Sequence, residues 1–536
     1  MLFACAQAHA QHADTIIFNA NIITLDRKQP RASALAISGD KIAGVFVGAV
    51  PDVLVSPATR RIDAQGRTII PGLIDSHIHA IRAGLTFGDE VSFEGVRTIT
   101  DAMARVRDGA ARTPHDQWIV VAGGWTPQQF VEGRRPTRAE IEAAAPGRRV
   151  YLQLFYRSAF LSEAAQAALG ISPQNPPAGA TFERDETGAP NGWLTGDIDT
   201  ITALWERLPK PGLDAAKAGT RAFFSMLNAY GVTGVIDPGG HNLALAEYAG
   251  VRDLARDNQL TVRINYFISA PERGGELDFF KTYVAQHPIG AGDAYFRFNG
   301  IGERVTFGMY NNDAPTEADT SAFENVARWA MASNVPLTVH WNSERSVSHL
   351  LYAFARVGNA PDRARLRWSI AHLHDAGPDT MNALHRLGLG WLTQNAIYFA
   401  APAFIRNMPA ARRAAAPPLA SALRAGLKVA AGTDATRVMS YNPFVSMQWI
   451  LDGRTVDGQD TRAPDERPSR EEALRMWTEG GAWFAFAENE RGRIAPGMFA
   501  DIAMLNADYI SIPVERIGEI KSVLTMIGGR VVHASP

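Results

Sequence analysis

Apolar and polar residues alternate with a two-residue period in short segments near both ends of the chain. TIIFNANIITLD, RASALAISGDKIAGVFVG and TRRIDAQGRTIIPG, between about Ala13 and Arg67, are broken by Gly, Asn and Asp in the manner of strands joined by tight turns. The pattern returns in GRIAPGMFADIAMLNAD and, from Ser522, in SVLTMIGGRVVHA. Neither end supplies enough strands for a stable sheet unit alone. The pattern therefore predicts one small β-sandwich assembled from residues 11–70 and 490–536, with everything else inserted into it.

Between the ends the period changes. Eight apolar runs, at 71–79, 231–237, 260–267, 301–310, 335–341, 366–374, 389–399 and 427–435, are separated mostly by amphipathic stretches such as 318–334 and 378–388. Alternating β and α units predict a parallel sheet, and eight of them with polar residues at the strand ends predict a TIM-like (β/α)8 barrel over 71–489. An open doubly wound sheet is disfavoured, because no Gly-rich dinucleotide or phosphate fingerprint follows a strand. Roughly 150 residues part the first two runs, far more than one loop needs, and about 86–205 is expected to form a cap beside the barrel mouth.

Composition narrows the chemistry. The 536 residues carry 53 basic and 55 acidic side chains, a net charge of -2, which excludes a nucleic-acid partner held through phosphates. No stretch reaches the ~18 consecutive apolar residues of a membrane span. The sole cysteine, Cys5, rules out a disulfide framework and a thiolate metal site, so any metal is held by His and carboxylates. Residues 1–10, MLFACAQAHA, end in small residues at a signal-peptidase spacing and read as the remnant of a secretory signal, implying a periplasmic or secreted protein. The alternative is an Ala-rich terminus without an address, on a cytoplasmic protein. Oligomeric state is left open, with a homo-oligomer among the options.

The strongest local signal is His77-Ile78-His79. Residues i and i+2 of a strand share a face, so two imidazoles converge at the end of the first barrel strand, where barrel active sites lie. His340, His372 and Asp434 each close another apolar run. One such His is usually a hydrogen-bonded core residue. Four together with a carboxylate suit a divalent ion, zinc first, iron or manganese next.

On these motifs the chain resembles the amidohydrolase superfamily, in the amidohydrolase-3 branch of N-substituted formamide deformylase-like metal-dependent hydrolases. PGLIDSHIHA resembles the first-strand motif, AHLH the sixth-strand histidine, AAGTDA the eighth-strand aspartate, and GRIAPGMFADIAMLN the return to the sandwich. PTRAEIEAAAPGRRVYL and GVTGVID also resemble this branch. The resemblance implies that His77, His79, His340, His372 and Asp434 are ligands and that Asp434 is also the general base. It implies hydrolysis of an amide, N-acyl, N-formyl or carbamate C–N bond in a small molecule by metal-activated water. A deaminase or lyase-like reaction on the same ligands, and a non-catalytic small-molecule binding protein, are the alternatives.

Several positions depart from the family pattern. Many relatives carry a carboxylated Lys at the fourth strand, but none of the seven lysines here closes a predicted strand. One ion per chain is therefore expected unless Glu303 or Asp313 replaces that bridge. Glu303 is expected near the start of a strand over 301–310, as a solvent or interface charge. Glu344, after His340, is a candidate proton shuttle or substrate contact, with an ion pair at a helix start as the alternative. Tyr156-Arg157-Ser158 replaces a Gly-His-Ser pattern, making Arg157 a candidate for a carboxylate or polarised carbonyl. His374 is a candidate substrate contact and His241 a weaker loop candidate. Trp125, Tyr156 and Trp341, with Phe130, Phe155 and Trp193, imply a bulky or aromatic substrate if they line the mouth.

Overall fold

The computed structural model describes residues 12–240 and 243–535. The suspected signal at 1–10, with Cys5, and His241 lie outside the described residues.

Eight short parallel strands form the centre. They are β1 (Leu73–Asp75), β2 (Val232–Asp237), β3 (Arg263–Ile268), β4 (Phe296–Ile301), β5 (Thr338–Trp341), β6 (Ser369–His372), β7 (Gly390–Gln394) and β8 (Val429–Gly432). Helices lie between most of them, including Glu317–Ala332 and Pro378–Arg386, close to where the periodicity puts them. The strands pair as two four-stranded sheets, ordered β4-β3-β2-β1 and β5-β6-β7-β8, rather than as one closed ladder. At one junction Ile301 bridges Leu337, and the His340 N–H donates to the Glu303 carbonyl at 3.1 Å. At the other, Ser76 N–H donates to Ala431 O at 3.1 Å and Asp434 N–H to His77 O at 2.7 Å. Both junctions fall where the backbone turns out of the strand to present a polar side chain, which interrupts regular pairing.

β4 differs from the sequence expectation. The strand is FRFNGI, and residues 302–310 form the irregular segment after it. Its polar residues have local partners at the lower end of the sheet. Asn265 of β3 donates to Asn299 at 3.3 Å, and Asn299 donates to the Phe484 carbonyl at 3.1 Å. Asparagines satisfied in this way let a half-polar sequence run as a buried strand.

Residues of both chain ends mix in one six-stranded sheet, in which Ile502–Leu505 runs antiparallel to Thr68–Pro71. A second, four-stranded sheet contains Thr15–Phe18, Ala34–Ser38, Lys41–Phe46 and Arg60–Asp63. Ile17, Ile37, Ile69, Ile502 and Met526 share one buried cluster. Arg263 of β3 joins this unit to the centre through paired bonds to Asp501, 2.8 Å from Nε and 3.1 Å from Nη2.

The insertion carries its own five-stranded sheet over Trp118–Val121, Arg149–Leu154, Ser158–Leu161, Thr181–Arg184 and Pro190–Thr195. Its aromatic core holds Phe93, Trp125, Phe130, Phe160 and Trp193. Gly123 lies against the backbone of Arg437 at φ +133°, leaving no room for a Cβ. This contact fixes the cap against the segment that follows β8. No helix among the described residues is long and apolar enough to cross a membrane.

Candidate metal centre

The ends of β1, β4, β5, β6 and β8 converge on one cluster. Glu303 lies at its middle, not at a strand start, because β4 ends at Ile301. Only 2 % exposed, it is not the solvent or interface charge the sequence suggests. Its Oε2 is 3.0 Å from His340 Nδ1, 3.4 Å from His372 Nε2 and 3.5 Å from His77 Nε2, while Oε1 is 3.5 Å from His79 Nε2. Across the cluster, Asp434 Oδ1 is 3.2 Å from His79 Nε2 and 3.7 Å from His77 Nε2. Donors bound to one tetrahedral zinc at 2.0–2.1 Å lie about 3.3 Å apart, so this spacing is that of ligands around an ion.

The nitrogens fit the same reading. Both ring nitrogens of His77, Nδ1 of His79 and Nδ1 of His372 are buried without a hydrogen-bond partner among the described residues. Such groups are costly to bury unless something coordinates them. Three sets could each hold an ion: His77, His79 and Glu303; Glu303, His340 and His372; and His77, His372 and Asp434. These sets share residues, and Glu303 belongs to two of them, the alternative to a single ion that the sequence left open.

Electrostatics favour a cluster ready to receive a cation. Burial opposes charge on Glu303, yet the imidazoles of His340, His372 and His77 hold its carboxyl well below the usual range. Burial also acts against Asp434, but the hydrogen bond with His79, the largest opposing influence, holds its carboxyl below the usual range. Burial and then the neighbouring His340 press His372 down to about 4, leaving it neutral, as a ligand must be.

The local sequence builds this geometry. Asp75 accepts from Thr433 N–H at 3.0 Å, Thr433 Oγ1 at 2.6 Å and His77 N–H at 3.2 Å, tying the end of β1 to the loop after β8. A Cβ at Gly432 would come within 2.5 Å of His77 N, so only glycine lets the two segments approach. His372 and Asp434 have φ of +77° and +58°, a left-handed backbone; Trp391 Nε1 donates to the His372 carbonyl at 2.9 Å, and Asp434 N–H donates to the His77 carbonyl at 2.7 Å. His340 is sandwiched between Tyr310, stacked at 4.6 Å, and Asn342, whose amide is 3.2 Å from Nε2.

Other sequence candidates separate clearly. The His374 ring lies 5.3 Å from that of His372 and is beside the centre, its pKa driven well down by burial and then by His372. Glu344 is a structural cross-link, accepting from Gly377 N–H at 3.2 Å and Thr380 Oγ1 at 2.6 Å, which joins two helix starts. Arg157 is exposed on the cap turn, while its neighbour Tyr156 reaches Arg437. Trp125 is wholly buried in the cap, its Nε1 donating to the Gln153 carbonyl at 2.8 Å. Trp341 is equally buried, with Nε1 3.2 Å from Ser346 Oγ. Trp125, Phe130, Trp193 and Trp341 are therefore core and give no support to a bulky or aromatic substrate, whereas Phe155 and Tyr156 are half-buried. Asp313 pairs with Arg345 away from the cluster.

Residues beyond the sequence candidates also belong here. Arg82 and Arg437 are buried, Arg82 within electrostatic reach of Asp434 and Glu303, and Asn395, one residue past β7, is fully buried with neither amide atom hydrogen-bonded among the described residues. Their positions three residues after His79, three after Asp434 and one after β7 are the signal that could have found them.

A model of the family described as Amidohydrolase family matches residues 60–533. The chain belongs to the amidohydrolase family. This amidohydrolase is an enzyme for carbon–nitrogen bonds other than peptide bonds, and the non-catalytic alternative falls. It is 24% identical to an N-substituted formamide deformylase of Arthrobacter pascens over 97% of this chain and 98% of that one. Among solved structures it is similar to an uncharacterized metal-dependent hydrolase of Pyrococcus furiosus, with TM-score 0.64 and 19% identity over 93% of this chain and 100% of that one. It is also similar to atrazine chlorohydrolase of Arthrobacter aurescens TC1 complexed with zinc, with TM-score 0.55 and 17% identity over 97% and 95% of the two chains.

Proposed function

We propose that this amidohydrolase cleaves an amide-type C–N bond of a small molecule, an N-acyl, N-formyl or carbamate compound, at a site where Glu303, shared between two pairs of histidines, would help to hold two divalent ions. The eight central strands are read as one (β/α)8 barrel whose two sheets meet end to end. The observation that carries the reading is Glu303 among four imidazoles, with Oε1 toward His79 and Oε2 toward His340, His372 and His77. His77 and His79 would hold one ion and His340 and His372 the other, with Asp434 beside the first. Zinc suits these donors best, and a zinc-bound relative in fold supports that choice.

Bound there, the ions supply Lewis acidity toward a carbonyl and make water more acidic. The chain's residues do the rest. Asp434, held ionised by its His neighbours, accepts a proton from the attacking water at the oxygen away from His77 and His79, then returns it to the leaving nitrogen. His374, whose ring lies 5.3 Å from that of His372, would hold the acyl portion. The cap covers the mouth and excludes bulk water.

The test is a hydrolysis screen of zinc-reconstituted protein with N-acyl, N-formyl and carbamate compounds, scoring carboxylate and ammonia separately. Carboxylate release that is abolished in Asp434→Asn supports the reading. Ammonia release alone assigns a deaminase, and full activity of Asp434→Asn removes the proton-transfer role.

A further inference from the structure

A second group of charged side chains lies against the metal centre and is used neither by the cluster nor by the fold. Arg82 is on the first turn of helix Ala80–Thr86, three residues after His79, and Arg437 is three residues after Asp434. The two segments run side by side, with Asp434 N–H donating to His77 O at 2.7 Å and His79 N–H to Ala435 O at 3.3 Å. Both arginines line one cavity of about 520 Å³ between the cap and the helices Ala80–Thr86 and Leu213–Ala229, whose apolar wall includes Leu85, Val120, Trp205 and Leu208.

Both are deeply buried, Arg82 to 6 % exposure and Arg437 to 7 %. Arg82 Nη1 has no hydrogen-bond partner among the described residues. The carboxylates near it are already committed. Glu303 and Asp434 belong to the cluster, and Asp237 accepts from Ile81 N–H at 2.8 Å and Gly239 N–H at 3.0 Å. Arg437 lies 4.0 Å over the Trp205 ring, which orients its plane, and is engaged by Tyr156. The acid facing it, Glu90, is bonded by Thr86 and pushed toward its neutral form by burial. The two guanidiniums are near enough to repel one another. Farther out, Glu206 and Glu247 share the single Lys210, and Asp89, Asp116 and Arg149 also line the cavity, so the attraction for an anion comes from Arg82 and Arg437 and not from the rim.

Two neighbouring buried cations, one with an unused donor, need an anion to complete them. A planar carboxylate matches the guanidinium fork. We propose that Arg82 and Arg437 form an anion-binding end of the substrate pocket, so that the substrate is an amide that also carries a carboxylate, of the N-acyl amino acid class. This rests on the amide-hydrolysis reading of the metal centre.

The test uses a panel of N-acetyl amino acids with aliphatic and aromatic side chains, each paired with its uncharged carboxamide. Turnover is measured on zinc-reconstituted protein, and binding by calorimetry in the Asp434→Asn background. The acids should be favoured about tenfold or more over their neutral twins, the size of a lost charge-assisted hydrogen bond. That ratio should fall to near one in Arg82→Met and in Arg437→Met and survive in part in Arg82→Lys. Reading the ratio within each variant removes any general loss of folded protein, and zinc content is checked alongside. A ratio near one in the parent protein, absence of binding by any acid, or a ratio unchanged in both Met variants overturns the proposal. An acid preference that Arg82→Met abolishes, in a protein that hydrolyses no amide, supports this subsite and overturns the hydrolysis reading. Hydrolysis without preference overturns the subsite alone.

Discussion

Removing the Asp75 carboxylate should unfasten the metal centre from one side. Asp75 is 1 % exposed, and it accepts three hydrogen bonds, two from the backbone of His77 and Thr433 and one from the Thr433 hydroxyl. Burial, the dominant influence, raises its pKa to about 7, but as an acceptor it serves in either protonation state. Asp75→Ala deletes all three bonds and leaves two buried N–H groups without an acceptor. At about 1–1.5 kcal/mol per bond, the loss is about 3–5 kcal/mol, weighted to the upper end by the unpaired donors. Asp75→Asn keeps the oxygen that serves both N–H groups and exchanges only the hydroxyl contact, so it should cost about 1 kcal/mol. Because the same bonds place His77 and Asp434, Asp75→Ala should also weaken metal affinity by about 10–100-fold, the range found for outer-sphere partners of ligands. Urea denaturation of metal-free protein and competitive chelator titration measure the two effects. An Asp75→Ala protein within 1 kcal/mol of the parent and with unchanged affinity would refute this reasoning.

Trp125→Ala should destabilise the protein by about 3–5 kcal/mol while leaving KM of the folded fraction unchanged; a selective rise in KM would return Trp125 to the substrate pocket. Glu344→Gln retains the acceptor for Gly377 and Thr380, so kcat should stay within about threefold, whereas a proton shuttle would lose about 10²-fold or more. Glu94, bonded to Ser440 at 2.6 Å between cap and centre, has its carboxyl raised from 4.5 to about 7 chiefly by burial. The folded state then binds more protons than the unfolded chain between those values, so this group costs stability as pH rises from 4.5 to about 7. Glu94→Gln should therefore raise the melting temperature relative to the parent at pH 8 and not at pH 4.5; an equal effect at both would refute the assignment.

The sequence made the candidate ligands on β1, β5, β6 and β8 legible because each ends an apolar run that a buried parallel strand requires. Glu303 was not legible for the same reason. Its strand, FRFNGI, contains Arg297, Asn299 and Gly300, and Asn299 is satisfied only by partners far away in the chain, Asn265 and the Phe484 carbonyl. The segment after it, IGERVTFGMY, alternates like a strand while being none. A shift of a few residues moved Glu303 from one end of the sheet to the other, so the sequence named it only as an alternative. Trp125 and Trp341 were ambiguous because an indole fills a core or a pocket equally well, and only their backbone and Ser346 partners decide it. Glu344 was similarly double-valued, since a carboxylate at a helix start is also a common structural device. Arg82 and Arg437 look like ordinary helix and loop arginines until burial removes their water.

The central claim is that Glu303 bridges two ions. Elemental analysis of zinc-reconstituted protein and of Glu303→Gln, both checked as folded by circular dichroism, tests it most directly. The parent should hold close to two ions per chain, and Glu303→Gln one or fewer. A parent content of one, or a Glu303→Gln protein with the parent's content, would contradict it.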